Sequence, residues 1–307
     1  MRVIFAGTPE TALPTLEALV NSTHEVVAIV TRPDARQGRG RELAQSPVAQ
    51  FGQDHRIPVL KPTNVNDPEV VAELKQLQPD IFVVVAYGGL IKTAALELGT
   101  YGWVNLHFSV LPAWRGAAPV QYAIMSGDEV SGATVFSLVP ELDAGPVLGV
   151  ITERIRPDDT AGTLLERLAK DGAGLVVDVL DRADELVPIA QREEAVSYAP
   201  KITVADAQIH WEKPAIHIER KARALDPEPG AWTTLGSDRI KIGPVKVTDE
   251  RSLEPGAVQI TKSEVRVGTG TADVLLGFVQ PPGKKMMPAA DWARGLQQKT
   301  GLVFDVS

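Results

Sequence analysis

Apolar residues fall along this chain in two rhythms. Residues 2–6, 26–31, 58–60 and 80–86 are short, largely apolar runs bounded by polar, Gly or Pro positions. Runs of that length predict strands buried on both faces, as in the middle of a parallel sheet. Between them apolar side chains recur every three or four positions: Leu13, Leu16 and Leu19, then Val70, Val71 and Leu74, then Leu164, Leu165, Leu168, Val176, Val177 and Leu180. That spacing predicts helices. A helix is also expected over 118–125, and Ser46 before Pro47 reads as a cap opening another. Strand and helix alternate, which implies an α/β fold with a doubly wound, mostly parallel, Rossmann-like sheet. The pattern stops near residue 188. Residues 189–206 are polar and unpatterned and read as a linker. A helix over 215–225 follows. Then come short strands over 239–242, 244–247, 257–260, 264–267 and 272–279, separated by Gly and Pro. Five or so such strands predict a small C-terminal OB-like β-barrel. The expected division is a domain over 1–188, a linker over 189–206 and a second domain over 207–307.

One stretch breaks from the buried pattern. In residues 103–112 Val104, Leu106 and Phe108 alternate with Asn105, His107 and Ser109. Period two makes it a strand and puts Asn105 and His107 on the same face. Pro112 ends it, because Pro cannot donate to a ladder. In open parallel sheets ligands bind beyond the carboxyl ends of strands. An amide and a protonated imidazole are both donors, and two donors aimed at one point can hold an oxyanion. The plain alternative is a strand end whose Asn and His cap loop carbonyls. A second strand over 132–139 leads to the turn Pro140-Glu141-Leu142-Asp143-Ala144-Gly145. A carboxylate there can orient His107, favour its charged form and take part in proton transfer.

Composition narrows the chemistry. The 307 residues suggest two domains, and 44% hydrophobic with 23% charged is ordinary for a globular protein. With no cysteine there is no thiolate metal site and no cysteine nucleophile. The five histidines show no metal-ligand spacing, so no metal is expected. The first βα turn, Gly7-Thr8-Pro9-Glu10-Thr11, lacks the Gly-x-Gly-x-x-Gly fingerprint, which argues against a dinucleotide enzyme. No leader or membrane span is read, so a cytoplasmic enzyme is expected. The net charge is −8. Residues 1–200 hold 16 Lys+Arg against 26 Asp+Glu, and residues 201–307 hold 15 against 13. Contact with a polyanion must therefore be local. The segment 32–45 is such a place, with Arg36, Gly38, Arg39, Gly40 and Arg41 in an aperiodic loop. Arg forks suit phosphates and Gly lets the backbone bend around a ligand. The alternative is a solvated surface loop. Lys284-Lys285 poses the same choice. Arg115, beside Trp114, could bind a phosphate or pack on the ring. Trp211 and Trp232 read as core or barrel-rim residues.

Asn105-x-His107-x-Ser109-x-Leu111-Pro112-x-x-Arg115-Gly116 and the later Gly132-x-Thr134…Leu142-Asp143-x-Gly145 together resemble the folate-dependent formyltransferases. The longer match over 109–121 (SVLPAWRGAAPVQ) resembles the branch whose acceptor is methionyl initiator tRNA. Val110 stands where that pattern has Leu and keeps its apolar character. The resemblance covers nearly the whole chain, including 280–286 and Asp291-Trp292. It implies formyl transfer from 10-formyltetrahydrofolate in translation initiation, with Asn105, His107 and Asp143 catalytic. It implies a folate pocket shaped by Tyr87, Gly88, Leu90, Ser109, Val110, Leu111 and Pro112. It implies tRNA contacts at Arg36, Arg39, Arg41, Lys284 and Lys285. A monomer is expected, with no membrane partner. The nearest alternative acceptors are glycinamide ribonucleotide and an amino sugar.

Overall fold

A computed structural model describes residues 1–37 and 42–306. The chain falls into two compact units. One is formed by Met1–Pro119, Val130–Arg154 and Leu165–Tyr198, the other by Val120–Glu129, Ile155–Leu164 and Ala199–Ser307.

The elements run β1 (Arg2–Gly7), α1 (Leu13–Val20), β2 (Glu25–Val30), β3 (Ala35–Gln37), β4 (Glu42–Ala44), α2 (Pro47–Asp54), β5 (Val59–Leu60), α3 (Pro68–Gln76) and β6 (Ile81–Val85). They continue with α4 (Thr93–Leu96), β7 (Trp103–His107), β8 (Arg115–Gly116), α5 (Pro119–Ser126), β9 (Val130–Ser137), β10 (Val147–Arg154), α6 (Ala161–Asp181) and β11 (Tyr198–Ala199). Seven strands make one sheet in the order β10-β9-β7-β6-β1-β2-β5. Five of them, from β7 to β5, are parallel, and β9 and β10 run antiparallel at one edge. All five residues of β6 are buried, as its unbroken apolar run requires. Phe82 and Trp103, on neighbouring strands, stack with ring centroids 4.0 Å apart. The Trp103 indole N–H donates to the Ala95 carbonyl at 2.7 Å, so burying the ring leaves no donor unpaired.

The expected loop over 32–45 contains order at its base. β3 and β4 pair antiparallel, with Ala35 opposite Ala44 and Gln37 opposite Glu42. Three-residue strands are too short to leave a period in the sequence. Arg39 and Arg41 lie outside the described residues.

In the second unit the elements are α7 (Ala215–Ala224), β12 (Trp232–Leu235), β13 (Asp238–Ile242), β14 (Val245–Val247), β15 (Ala257–Ile260), β16 (Val265–Val267), β17 (Val274–Leu276), β18 (Phe278–Gln280), β19 (Met287–Pro288), α8 (Ala289–Arg294) and β20 (Leu302–Val303). They form two antiparallel sheets, β12-β13-β18-β19 and β14-β17-β16-β15-β20. The strand expected over 272–279 divides at Gly277: β17 joins the five-stranded sheet and β18 the four-stranded one. Trp211, Trp292 and Phe304 stack in the core of this unit. Trp232 lies on a strand with the Arg239 guanidinium 3.7 Å from its ring centroid. No described helix is long and apolar enough to cross a membrane.

Candidate active site

Asn105 and His107 share a face of β7, two residues apart, with Phe136 and Thr134 of β9 opposite them. The stretch joining β9 to β10 returns along that strand. The Leu138 N–H bonds the Trp103 carbonyl at the start of β7, and five residues on Asp143 has reached His107. The result is a cavity of about 450 Å³ lined by Asn105, His107 and Asp143, by Tyr87, Gly88 and Leu90, and by Val84, Ile91, Val139, Glu141 and Leu142. The three polar residues read from sequence as a trio thus share one cavity with three of the seven expected folate contacts. Ser109, Val110, Leu111 and Pro112 do not line it. Their polar groups are engaged by the protein: the Ser109 hydroxyl donates to the Ala113 carbonyl at 2.6 Å. Thr134 joins the turn to β9, donating to the Ser109 carbonyl and accepting from the Leu111 N–H.

His107 is 6% exposed, and both its ring nitrogens face protein groups. Nε2 is 2.8 Å from the Trp114 carbonyl oxygen. A carbonyl only accepts, so Nε2 carries the hydrogen and, in the neutral ring, the lone pair sits on Nδ1. Nδ1 is 3.8 Å from the Asp143 carboxylate. Burial lowers the His107 pKa below its ordinary 6.5, while Asp143 and the Trp114 carbonyl pull it upward. The expected imidazolium is therefore not the resting form at neutral pH. The pair His107–Asp143 is instead arranged to receive one proton between Nδ1 and the carboxylate. The Asn105 amide has no side-chain hydrogen bond among the described residues, which leaves its N–H available to a ligand oxygen.

Backbone strain is concentrated here. Five described non-glycine residues have φ in the left-handed range: Arg56, Gln78, Ala86 (48°), Trp114 (60°) and Asp143 (46°). Ala86 and Asp143 line the cavity and Trp114 holds His107. Such conformations cost on the order of 1–3 kcal/mol each and persist only where surrounding contacts fix them. For Asp143 one contact is the Gly116 N–H, which donates to Oδ2 at 2.7 Å. The motif glycines have their own reason: a β-carbon at Gly145 would lie 1.7 Å from the Ser137 carbonyl oxygen, and one at Gly132 would lie 2.1 Å from that of Ile151.

Arg115 is held by a side chain from the polar segment that follows residue 188. Its guanidinium donates twice to the Gln191 side-chain oxygen, at 3.1 and 2.7 Å. Sequence reasoning passed over Gln191 and Ser197, because a polar segment without periodicity shows no partner until the chain is folded. Arg36 is exposed on β3, and Lys284 and Lys285 lie exposed in the turn after β18 in the second unit. Among the described residues no group of three or more His, Asp or Glu could hold a metal ion.

The sequence that folds into this sheet and cavity matches a family of formyl-group transferases. Residues 1–180 match the formyl transferase family model and residues 201–297 that of its C-terminal domain, so the chain belongs to the formyl transferase family. Its relatives include a methionyl-tRNA formyltransferase from Nocardioides sp., 55% identical over 312 aligned residues covering 100% of this chain and 99% of the relative. Another methionyl-tRNA formyltransferase, from Mycobacteroides abscessus, is 58% identical, covering 96% and 97%. Among solved structures, HypX from Aquifex aeolicus in complex with tetrahydrofolic acid superposes with a TM-score of 0.68 at 18% identity. The alignment covers 95% of this chain and 46% of that longer one.

Proposed function

We propose that the protein transfers the formyl group of 10-formyltetrahydrofolate to the amino group of methionyl initiator tRNA, in translation initiation. The observation that carries this reading is full-length likeness, at 53–58% identity, to proteins named methionyl-tRNA formyltransferase. The cavity supports it. Apolar walls at Val84, Leu90, Ile91, Val139 and Leu142 suit a flat heterocycle, and the Asn105 amide at its side suits a formyl oxygen.

The bound folate supplies an activated formyl group. The methionyl amine forms the new C–N bond as the bond to the folate nitrogen breaks. Asn105 donates to the formyl oxygen as negative charge develops on it. The amine loses a proton as it attacks, and the His107–Asp143 pair takes it up at Nδ1. That proton then serves the departing folate nitrogen, so the pair returns to its resting state. Tyr87, Gly88 and Leu90 hold the folate, and the turn over Ser109, Val110, Leu111 and Pro112 shapes the pocket indirectly by setting the end of β7. Arg36, Arg39 and Arg41 grip the acceptor end, with Lys284 and Lys285 as further phosphate contacts. We assign residues 1–188 to formyl transfer, 189–206 to the linker and 207–307 to holding tRNA. The protein is read as a cytoplasmic monomer.

The test is direct. The purified protein is incubated with 10-formyltetrahydrofolate and charged initiator tRNA, glycinamide ribonucleotide or a nucleotide-linked amino sugar. Formyl-methionine on the tRNA is the expected product. Formylation of another acceptor in its place would redirect the assignment.

A further inference from the structure

The polar segment 189–198 runs back along the first unit and touches both strained residues that hold His107. Ile189 pairs with Val147, exchanging backbone hydrogen bonds at 2.7 and 2.8 Å. Two residues on, the Gln191 amide is fixed from both ends. Its oxygen accepts from Arg115, which can only donate, so its NH₂ must face the other way. There it donates to the carbonyls of Asp143 and Gly145, each at 2.8 Å. Further along, the Ser197 hydroxyl accepts from the Trp114 N–H at 2.9 Å, and the Ser197 carbonyl accepts from the Arg115 N–H at 2.9 Å.

We propose that residues 189–198 form a strap that sets the active site, with Gln191 and Ser197 as positioning residues holding Asp143 and Trp114 against the two ring nitrogens of His107. The proposal rests on the reading of His107 and Asp143 as the proton-accepting pair. Each clamp acts at a residue in the left-handed region, where the chain would otherwise relax. Gln191 fixes the backbone from which the Asp143 carboxylate projects. The Ser197 hydroxyl holds the N–H of Trp114, and the Ser197 carbonyl holds the next peptide, whose own carbonyl selects the His107 tautomer. Neither touches the cavity, so neither is a catalytic residue. The charged groups around His107 are Asp143 and Glu141 on the returning stretch, with Arg115 held through Gln191.

The experiment compares full-length Gln191→Ala, Ser197→Ala, Ser197→Thr and His107→Ala with wild type. Thermal melting confirms folding, and kcat, KM for folate and the pH profile of kcat are measured. Gln191→Ala should lower kcat about tenfold, since displacements of a fraction of an ångström at reacting groups cost that much. KM for folate should stay within about twofold. Its acid limb should move to lower pH, because the Asp143 carboxylate, which raises the His107 pKa, is less well held. Ser197→Ala should lower kcat similarly, and Ser197→Thr, which keeps the hydroxyl, should restore it. Folded Gln191→Ala and Ser197→Ala with wild-type kcat and pH profile, beside an inactive His107→Ala, would overturn the strap while leaving the site reading intact. A fully active His107→Ala would remove the site reading and the strap with it. A further readout needs no variant at the strap. Ring ¹⁵N spectra of wild type, with the His107 signals assigned by their loss in His107→Ala, should show the Nε2–H tautomer. The Nδ1–H tautomer would contradict the Trp114 clamp.

Discussion

His107 is held neutral by burial, with its hydrogen directed to the Trp114 carbonyl and its lone pair toward Asp143. Asn105 and His107 were legible in the sequence because a two-residue period in a strand puts them on one face. Asp143 was legible as a carboxylate in a turn, though not as one carried back along β7 by the returning stretch. The resting state of His107 was not legible, since it depends on burial and on a carbonyl seven residues away. Two predictions belong here. His107→Ala, Asn105→Ala and Asp143→Ala should each lower turnover at least ~10²-fold with the fold retained, and the losses should be strongly non-additive because the three act together. Steady-state kinetics on the single and double variants measure this; additive losses would mean three independent contributions. The second concerns pH. A buried imidazole whose pKa is lowered is the proton acceptor only when neutral, so kcat should hold steady through neutral pH and fall only on the acid side of the ordinary histidine range. A profile that rises as pH drops through that range would show that imidazolium is the working form.

Among elements, the buried strands were the easiest to read and the loops the hardest. The run Ile81–Val85 could be little else than a central strand. The run over 272–279 looked continuous because both halves are apolar, but Gly277 lets the chain leave one sheet for the other. The polar segment 189–198 offered no period, because its contacts are hydrogen bonds to distant backbone rather than a packed face. The basic segment is the element whose role is most exposed to test. Arg39 and Arg41 interrupt an acidic half of the chain, so removing either guanidinium from a phosphate should reduce the salt slope of tRNA binding by about one unit. Arg39→Ala and Arg41→Ala should raise KM for charged tRNA and flatten its salt dependence, with folate binding unchanged. Initial rates against tRNA concentration at two salt levels decide it; curves identical to wild type would mark the segment as surface only.

Across the whole molecule, buried histidines tie stability to pH. His24 and His107 both have folded pKa values lowered by burial. Below 6.5 the unfolded chain binds protons that these sites resist. Their contribution is thus complete above pH 6.5 and is lost as pH falls through the folded values. The melting temperature should decline between pH 7 and 5, and His107→Gln should make that decline shallower; an equal slope in the variant would assign it to other groups. The fold class was legible because each part of the chain keeps its own pattern, buried parallel strands first and short strands between Gly and Pro afterwards. Formyl transfer from folate to the charged tRNA is open to one direct assay. Wild type and His107→Ala are each given 10-formyltetrahydrofolate and charged initiator tRNA, and formyl-methionyl ester is quantified over time. Wild type should formylate rapidly, and the folded variant at a rate at least ~10²-fold lower. Comparable rates in the two proteins, or no formyl-methionine from wild type, would contradict it.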